Sequence, residues 1–243
     1  MANRAKDKLL RQLVMANRIF AQHGVLDAFG HVSVRDPEDP ARFVMSRSLA
    51  PNLVTEDDLL TFDLQGNELN GDTRRPYGER FIHGGIFEAR PDVQVVCHNH
   101  SPSIIPFGVT GVPLKPIFHM ASLIGTDIPV WDIAQEFGDT DMLVTSVPMG
   151  RSLARTLGPR RVALMRGHGS VIAGAAVPEV VMAGIYMEQN AQLQTMAHLL
   201  GAGQVRYLSD AEARLMGQRC SEPLTSERAW EAWCIEAGFP NDR

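Results

Sequence analysis

A chain of 243 residues, 44% of them hydrophobic, can bury one full core, and no Gly/Ser- or Pro-rich linker divides it. Its net charge of −5 is spread along the sequence, with no basic stripe to suggest nucleic acid and no acidic tail to suggest a disordered arm. The charged N-terminal stretch lacks the apolar centre of a secretory signal, and Pro178 and Glu179 interrupt the most apolar late segment, so no export signal or membrane span is expected. Three cysteines, Cys97, Cys220 and Cys234, make no even framework and suit a reducing cytoplasm.

Residues 5–23 are expected to form a helix, with Leu9, Leu10, Leu13, Ile19 and Phe20 near one face. Residues 31–35 alternate as a strand does, and 42–45 read as the hairpin partner. Residues 59–63 and a short strand near Glu68 flank the turn signal Gly66-Asn67. Residues 78–90 read as a helix stopped before Pro91, because proline pushes the preceding residue out of the α region. A β-branched strand follows at 93–98. Residues 161–166 and 170–173 read as two strands meeting at Gly167-His168-Gly169. A long helix from Pro178 to about Gly201 starts with proline in its first turn. Two short helices close the chain at 209–219 and 225–237, the first with Ser209 and Glu212 spaced as a capping box. These elements describe one α/β domain over 1–243, with a mainly antiparallel or mixed sheet and a helical tail from about residue 205.

The strand at 93–98 ends in Cys97-His98-Asn99-His100-Ser101-Pro102. Side chains two apart share a face of a strand, so His98 and His100 can hold one cation. The plain alternative is a polar strand end bonded to water and backbone. Cys97 and Asn99 point the other way, which makes Cys97 core and argues against a Cys/His zinc site. His168 is the best third ligand, since flanking glycines let the backbone turn sharply or approach a site closely. Three imidazoles with an open position make a catalytic rather than a structural centre, and imidazole alone admits Zn, Mn, Fe or Cu. Glu79 and His83 are one helical turn apart and are expected to face together, with Phe81, Ile82 and Ile86 on the apolar side. For Glu79 alone, a solvated helix face explains as much. His23 and His198 read as structural.

"GERFIHGGIFEARPDVQVVCHNHSP" followed by "ALMRGHGSVIAG" resembles the class II aldolase/adducin family, and "FGHVSVRDP" fits its first glycine-containing loop. The resemblance runs over roughly residues 8–205. It implies His98, His100 and His168 as metal ligands, with Glu79 as the acid/base beside them. It also implies a three-layer α/β/α fold with a central, mostly antiparallel sheet. The expected cofactor is one divalent ion per chain, Mn²⁺ or Zn²⁺, and the expected assembly a homotetramer with sites at subunit interfaces.

Three loops depart from the sugar-phosphate aldolase pattern: Gly30-His31-Val32-Ser33, Met45-Ser46-Arg47-Ser48 and Tyr77-Gly78. A phosphate dianion wants several amides and small hydroxyls, whereas a carboxylate suits an arginine fork. Arg47 is the candidate fork, flanked by Ser46 and Ser48. These departures, with "PIFHMASLIG" and "EFGDTDMLVT", resemble the decarboxylase branch of the family from about Leu9 to Tyr186. That branch includes 3-hydroxy-2-methylpyridine-4,5-dicarboxylate and 3,4-dihydroxyphthalate decarboxylases. The expected reaction is metal-dependent loss of CO₂ from a hydroxylated aromatic or heteroaromatic acid through an enolate-like intermediate held on the metal, with Glu79 or His31 protonating the ring carbon. His119 and Tyr207 are further candidates for the substrate pocket. The alternatives are aldol cleavage of a non-phosphorylated hydroxy-keto compound and a non-catalytic adducin-like domain, which should lack the metal histidines. A cupin also carries His-x-His, but the expected helices do not suit an all-β barrel.

Overall fold

A computed structural model of the chain describes residues 2–240. The hairpin of β1 (His31–Arg35) and β2 (Arg42–Ser46) forms as expected, and β3 (Leu59–Asp63) adds outside β2. The other strands are β4 (Val95–Asn99), β5 (Val130–Trp131), β6 (Val162–Met165) and β7 (Gly169–Gly174). They form one seven-stranded sheet in the order β3-β2-β1-β4-β7-β6-β5, antiparallel except for the β5–β6 pair.

Eight α-helices accompany the sheet among the described residues: α1 (Ala2–Gln22), α2 (Arg80–Ala89), α3 (Phe107–Thr110), α4 (Ala134–Phe137), α5 (Val147–Leu157), α6 (Val177–Leu200), α7 (Asp210–Cys220) and α8 (Pro223–Glu236). Alternation along the strands divides the core in two. Val32, Val34, Cys97 and Ile172 face a layer built on Phe20 of α1, Met182 and Met187 of α6 and Trp230 of α8. Phe43, Val96, Val171 and Ala173 face Ile82, Ile86 and Phe87 of α2 and Leu153 and Leu157 of α5. The fold is the α/β/α sandwich expected.

Several details differ. The strand near Glu68 is a single bridge to Phe62; Gly66 turns the chain at φ +82°, and the Asp63 carboxylate accepts the Gln65 and Asn67 amides. Helix α2 starts at Arg80, which leaves Glu79 as its N-cap residue with φ −92° and ψ 18°, outside the helix. The capping box at Ser209 is present, with the Glu212 amide donating to Ser209 Oγ at 3.2 Å and the Ser209 amide to Glu212 Oε2 at 2.8 Å.

Helix α5 was not among the expected elements. It packs against α2 backbone to backbone, because a Cβ on Gly150 would stand 2.0 Å from the Phe81 carbonyl oxygen and one on Gly85 2.4 Å from the Gly150 carbonyl carbon. No helix among the described residues is long and apolar enough to cross a membrane.

Candidate metal centre

The end of β4 carries the site. His98 sits opposite His31 on β1 and Val171 on β7, at the centre of the sheet. His100 lies one residue beyond the strand and still reaches the same point, its Nε2 3.1 Å from that of His98. The β6–β7 turn delivers the third imidazole. Gly167 takes φ +65°, and Gly169 lies so close to β4 that a Cβ would stand 2.0 Å from the Asn99 carbonyl oxygen. Only glycine permits both conditions, and they bring His168 Nε2 to 3.1 Å from His100 Nε2. Glu79 Oε2 completes the group, 3.7 Å from His98 Nε2 and 3.6 Å from His168 Nε2. The four candidate ligand atoms all lie within 4.8 Å of one another.

The outer nitrogens show which edges face inward. His98 Nδ1 donates to the Ser170 carbonyl at 3.1 Å, and His100 Nδ1 donates to the Asp27 carboxylate, 3.1 Å from either oxygen. With Nδ1 bonded outward, His98 and His100 each turn the Nε2 edge, the one a neutral imidazole offers to a metal, toward the centre. Converging lone pairs repel unless a cation lies between them. Two ligands about 2.0–2.1 Å from one ion are separated by roughly 2.8–3.4 Å at octahedral to tetrahedral angles; the two 3.1 Å nitrogen–nitrogen spacings match, and the Glu79 oxygen stands wider, at 3.6–3.7 Å. The three imidazoles therefore suit a divalent cation, with the Glu79 carboxylate beside it.

Electrostatics agrees. Burial holds the His98 imidazole down at about 3 despite Glu79 beside it, so the ring is neutral at pH 7. Burial works to raise the Glu79 carboxyl, but His168, His98 and the Val144 amide outweigh it and bring the group to about 2. Glu79 Oε1 accepts the Val144 N–H at 2.9 Å, which fixes the carboxylate with Oε2 inward. Cys97 is buried on the opposite face, with its thiol pushed up by burial, as expected of a core residue.

A cleft of about 530 Å³ opens above the cluster. Phe29, Leu49, Tyr77 and Leu143 give it apolar walls, while His31, Ser48, Glu79 and His100 line it with polar groups. Arg75 is the only arginine or lysine among its lining residues.

Of the residues expected at the substrate, Ser48 lines this cleft and Arg47 does not. The Arg47 Nε donates to Asp58 Oδ1 at 2.7 Å, so the fork is held by a carboxylate of its own chain. Ser46 is fully buried beneath the cleft rather than lining it. His119 is exposed at the start of a 3₁₀ turn (His119–Ile124) and lies outside this chain's cleft. Tyr207 bonds α6 instead, its hydroxyl 3.0 Å from His198 Nε2 and 3.3 Å from Gln194 Nε2. His83, expected to face with Glu79, is buried with its nitrogens against His31 and Ser33. Four features escaped the sequence reading: Asp27, the Val144 amide, Arg75 and the bonding of His83. Nothing local to any of them signals a site; each acts through a contact made by the fold.

Residues 11–195 match the model of the class II aldolase and adducin N-terminal domain. The chain belongs to this family. Within the family it falls in the decarboxylase branch. Decarboxylase tropJ of Talaromyces stipitatus is 33% identical to it, with 93% of each chain covered. A 3,4-dihydroxyphthalate decarboxylase of Arthrobacter keyseri is 27% identical, with 82% of each covered. Among solved structures, an L-fuculose 1-phosphate aldolase from Glaciozyma antarctica superposes with a TM-score of 0.80 at 25% identity, covering 98% of this chain and 91% of that one. The protein is an enzyme of the lyase class.

Proposed function

We propose that the protein is a divalent-metal-dependent decarboxylase of a hydroxylated aromatic or heteroaromatic acid. One observation carries this reading: three imidazole Nε2 atoms and a carboxylate converge at the base of an apolar-walled cleft with a single cationic side chain. The names of the decarboxylase relatives support it. His98, His100 and His168 would hold the ion, Mn²⁺ or Zn²⁺, which when bound supplies Lewis-acid stabilisation of an oxyanion.

The chain's own residues do the rest. The cleft volume of about 530 Å³ suits a single-ring acid. Phe29, Tyr77 and Leu143 shield the ring from water. Glu79, a carboxylate at rest, accepts the proton of the ring hydroxyl through Oε2. It returns that proton to the ring carbon as the bond to the carboxyl carbon breaks and its electrons pass into the ring. CO₂ departs, and one solvent proton restores the hydroxyl. His31 faces the reacting group from β1. Arg75, with the Ser48 hydroxyl beside it, orients a second carboxylate by a forked hydrogen bond, the role expected of Arg47. One arginine and one serine suit a planar carboxylate better than a phosphate dianion.

The test is a panel of ortho-hydroxy aromatic acids with CO₂ and aldehyde detection, run with Mn²⁺, Zn²⁺ and chelator. CO₂ release abolished by chelator is expected. Aldehyde without CO₂ would establish aldol cleavage, a reading favoured by the likeness to an aldolase. The proposal extends to a homo-oligomer, in which the exposed Leu199 and Leu200 at the end of α6 are covered and His119 reaches a neighbouring cleft. Light scattering checks the assembly.

A further inference from the structure

Beneath the cleft lies a hydrogen-bonded chain of three buried side chains. His31 and Ser33 are two apart on β1 and so share one face. Helix α2 sets His83 between them: His83 Nε2 is 2.7 Å from His31 Nδ1, and His83 Nδ1 is 2.6 Å from Ser33 Oγ. His83 and Ser33 are fully buried and His31 is 1% exposed. The ring of Phe43 stacks on His83. Among the described residues the only hydrogen bond of the His31 ring is at Nδ1, and His31 lines the cleft, which leaves Nε2 as its free edge.

Such a chain can point in two directions. In one, the Ser33 hydroxyl donates to His83 Nδ1, His83 Nε2–H donates to His31 Nδ1, and His31 carries its proton on Nε2. In the other, His31 Nδ1–H donates to His83 Nε2, His83 Nδ1–H donates to Ser33 Oγ, and the Ser33 O–H is left to find an acceptor. Among the described residues Ser33 Oγ has no other bond, so the second direction strands a buried hydroxyl proton, at a cost of about 1–3 kcal/mol. The first uses every proton. We infer that His83 is a positioning residue which, through Ser33, locks His31 in the tautomer that presents Nε2–H to the cleft. His31 then serves as a hydrogen-bond donor to a substrate oxygen on which charge builds, rather than as a base.

The activity part of this inference rests on the decarboxylase reading; the tautomer part does not. The first measurement is ¹⁵N NMR of histidine-labelled enzyme loaded with zinc, which is diamagnetic. A pyridine-type Nδ1 and a pyrrole-type Nε2 at His31 are expected, and the reverse pattern overturns the inference whatever the substrate. The second is steady-state kinetics with a substrate identified by the CO₂ screen. Gln in His83→Gln can still donate to His31 Nδ1 from near the Nε2 position and should keep kcat within about threefold of wild type. His83→Phe removes the donor and should lower kcat about 10–100-fold with KM within threefold. Ser33→Ala frees the chain to reverse and should yield both tautomers in the NMR spectrum, even if His83→Phe fails to fold. Equal losses in His83→Gln and His83→Phe, or an unchanged spectrum in Ser33→Ala, would make the chain merely structural.

Discussion

Replacing Gly150 by alanine tests whether the packing of two helices sets the position of Glu79. The new β-carbon would stand 2.0 Å from the Phe81 carbonyl oxygen and 2.8 Å from its carbon, whereas real contacts do not fall below 3.0 Å. Helices α2 and α5 must therefore part by about 1 Å, since a close-packed interior has no slack to absorb the intrusion. Overpacking of this kind costs about 1–3 kcal/mol. For a chain of this size that lowers the melting temperature by roughly 2–12 °C. The functional effect should be larger than the stability effect. Glu79 lies two residues before Phe81, and its Oε1 is held by the Val144 amide, which precedes α5. Parting the helices stretches that 2.9 Å bond and displaces the carboxylate, and an error of 1 Å at a reacting group costs on the order of 10²-fold in rate. The three histidines stand on β4 and the β6–β7 turn, so metal content should stay near wild type. Differential scanning fluorimetry, elemental analysis and kcat on one preparation measure all three. A Gly150→Ala protein that melts within 1 °C of wild type and turns over normally would refute the claim that this backbone contact positions Glu79.

Other expectations follow from the same site. A His98→Ala, His100→Ala double variant should contain no bound divalent metal by elemental analysis, and chelator should no longer shift its melting temperature. Glu79→Gln should fold and keep its metal but lose about 10²–10⁴-fold in kcat, the usual share of proton transfer, as read from CO₂ release. Arg75→Ala should raise KM for a dicarboxylate by roughly 10–100-fold while sparing its monocarboxylate analogue, and Arg47→Ala should leave both KM values near wild type. Burial holds folded His83 near 3, while in the unfolded chain it titrates at its ordinary value. The unfolded state therefore binds more protons below about pH 6.5, and stability present above that pH is lost as it falls, by about 2 kcal/mol at pH 5 for this residue alone. Urea midpoints at pH 7 and pH 5 should differ more in wild type than in His83→Gln.

The parts legible in the sequence were those that short-range pattern controls. Alternation at His31–Arg35, turn chemistry at Gly66-Asn67 and the capping box at Ser209 are all local, and all appear. His98, His100, His168 and Glu79 were picked out because the family resemblance fixes their order along the chain, and the fold brings the four together. Helix α5 went unread because Gly150 breaks its helical pattern, and that glycine is there for contact with α2. Arg47 shows the limit for long side chains: its place in the loop is apparent, but Asp58, on the turn leading into β3, decides which way it points. Asp27 and the Val144 amide are ordinary groups until the fold brings them to His100 and Glu79.

The centre joins the end of β4 to the β6–β7 turn, and β7 pairs with β4 only after the intervening chain has folded back. The full set of imidazoles therefore exists only in the folded sheet, where the β4–β7 pairing brings His168 to His100. Binding selects the finished native state and adds stability by mass action, about 2.7 kcal/mol when free metal is a hundredfold above its dissociation constant. A set of three imidazoles favours the later first-row ions intrinsically, so little in the donor chemistry itself enforces manganese over zinc. In the proposed metalloenzyme an ion would thus be the last component installed, and the ions available to the completed protein would decide which one it carries.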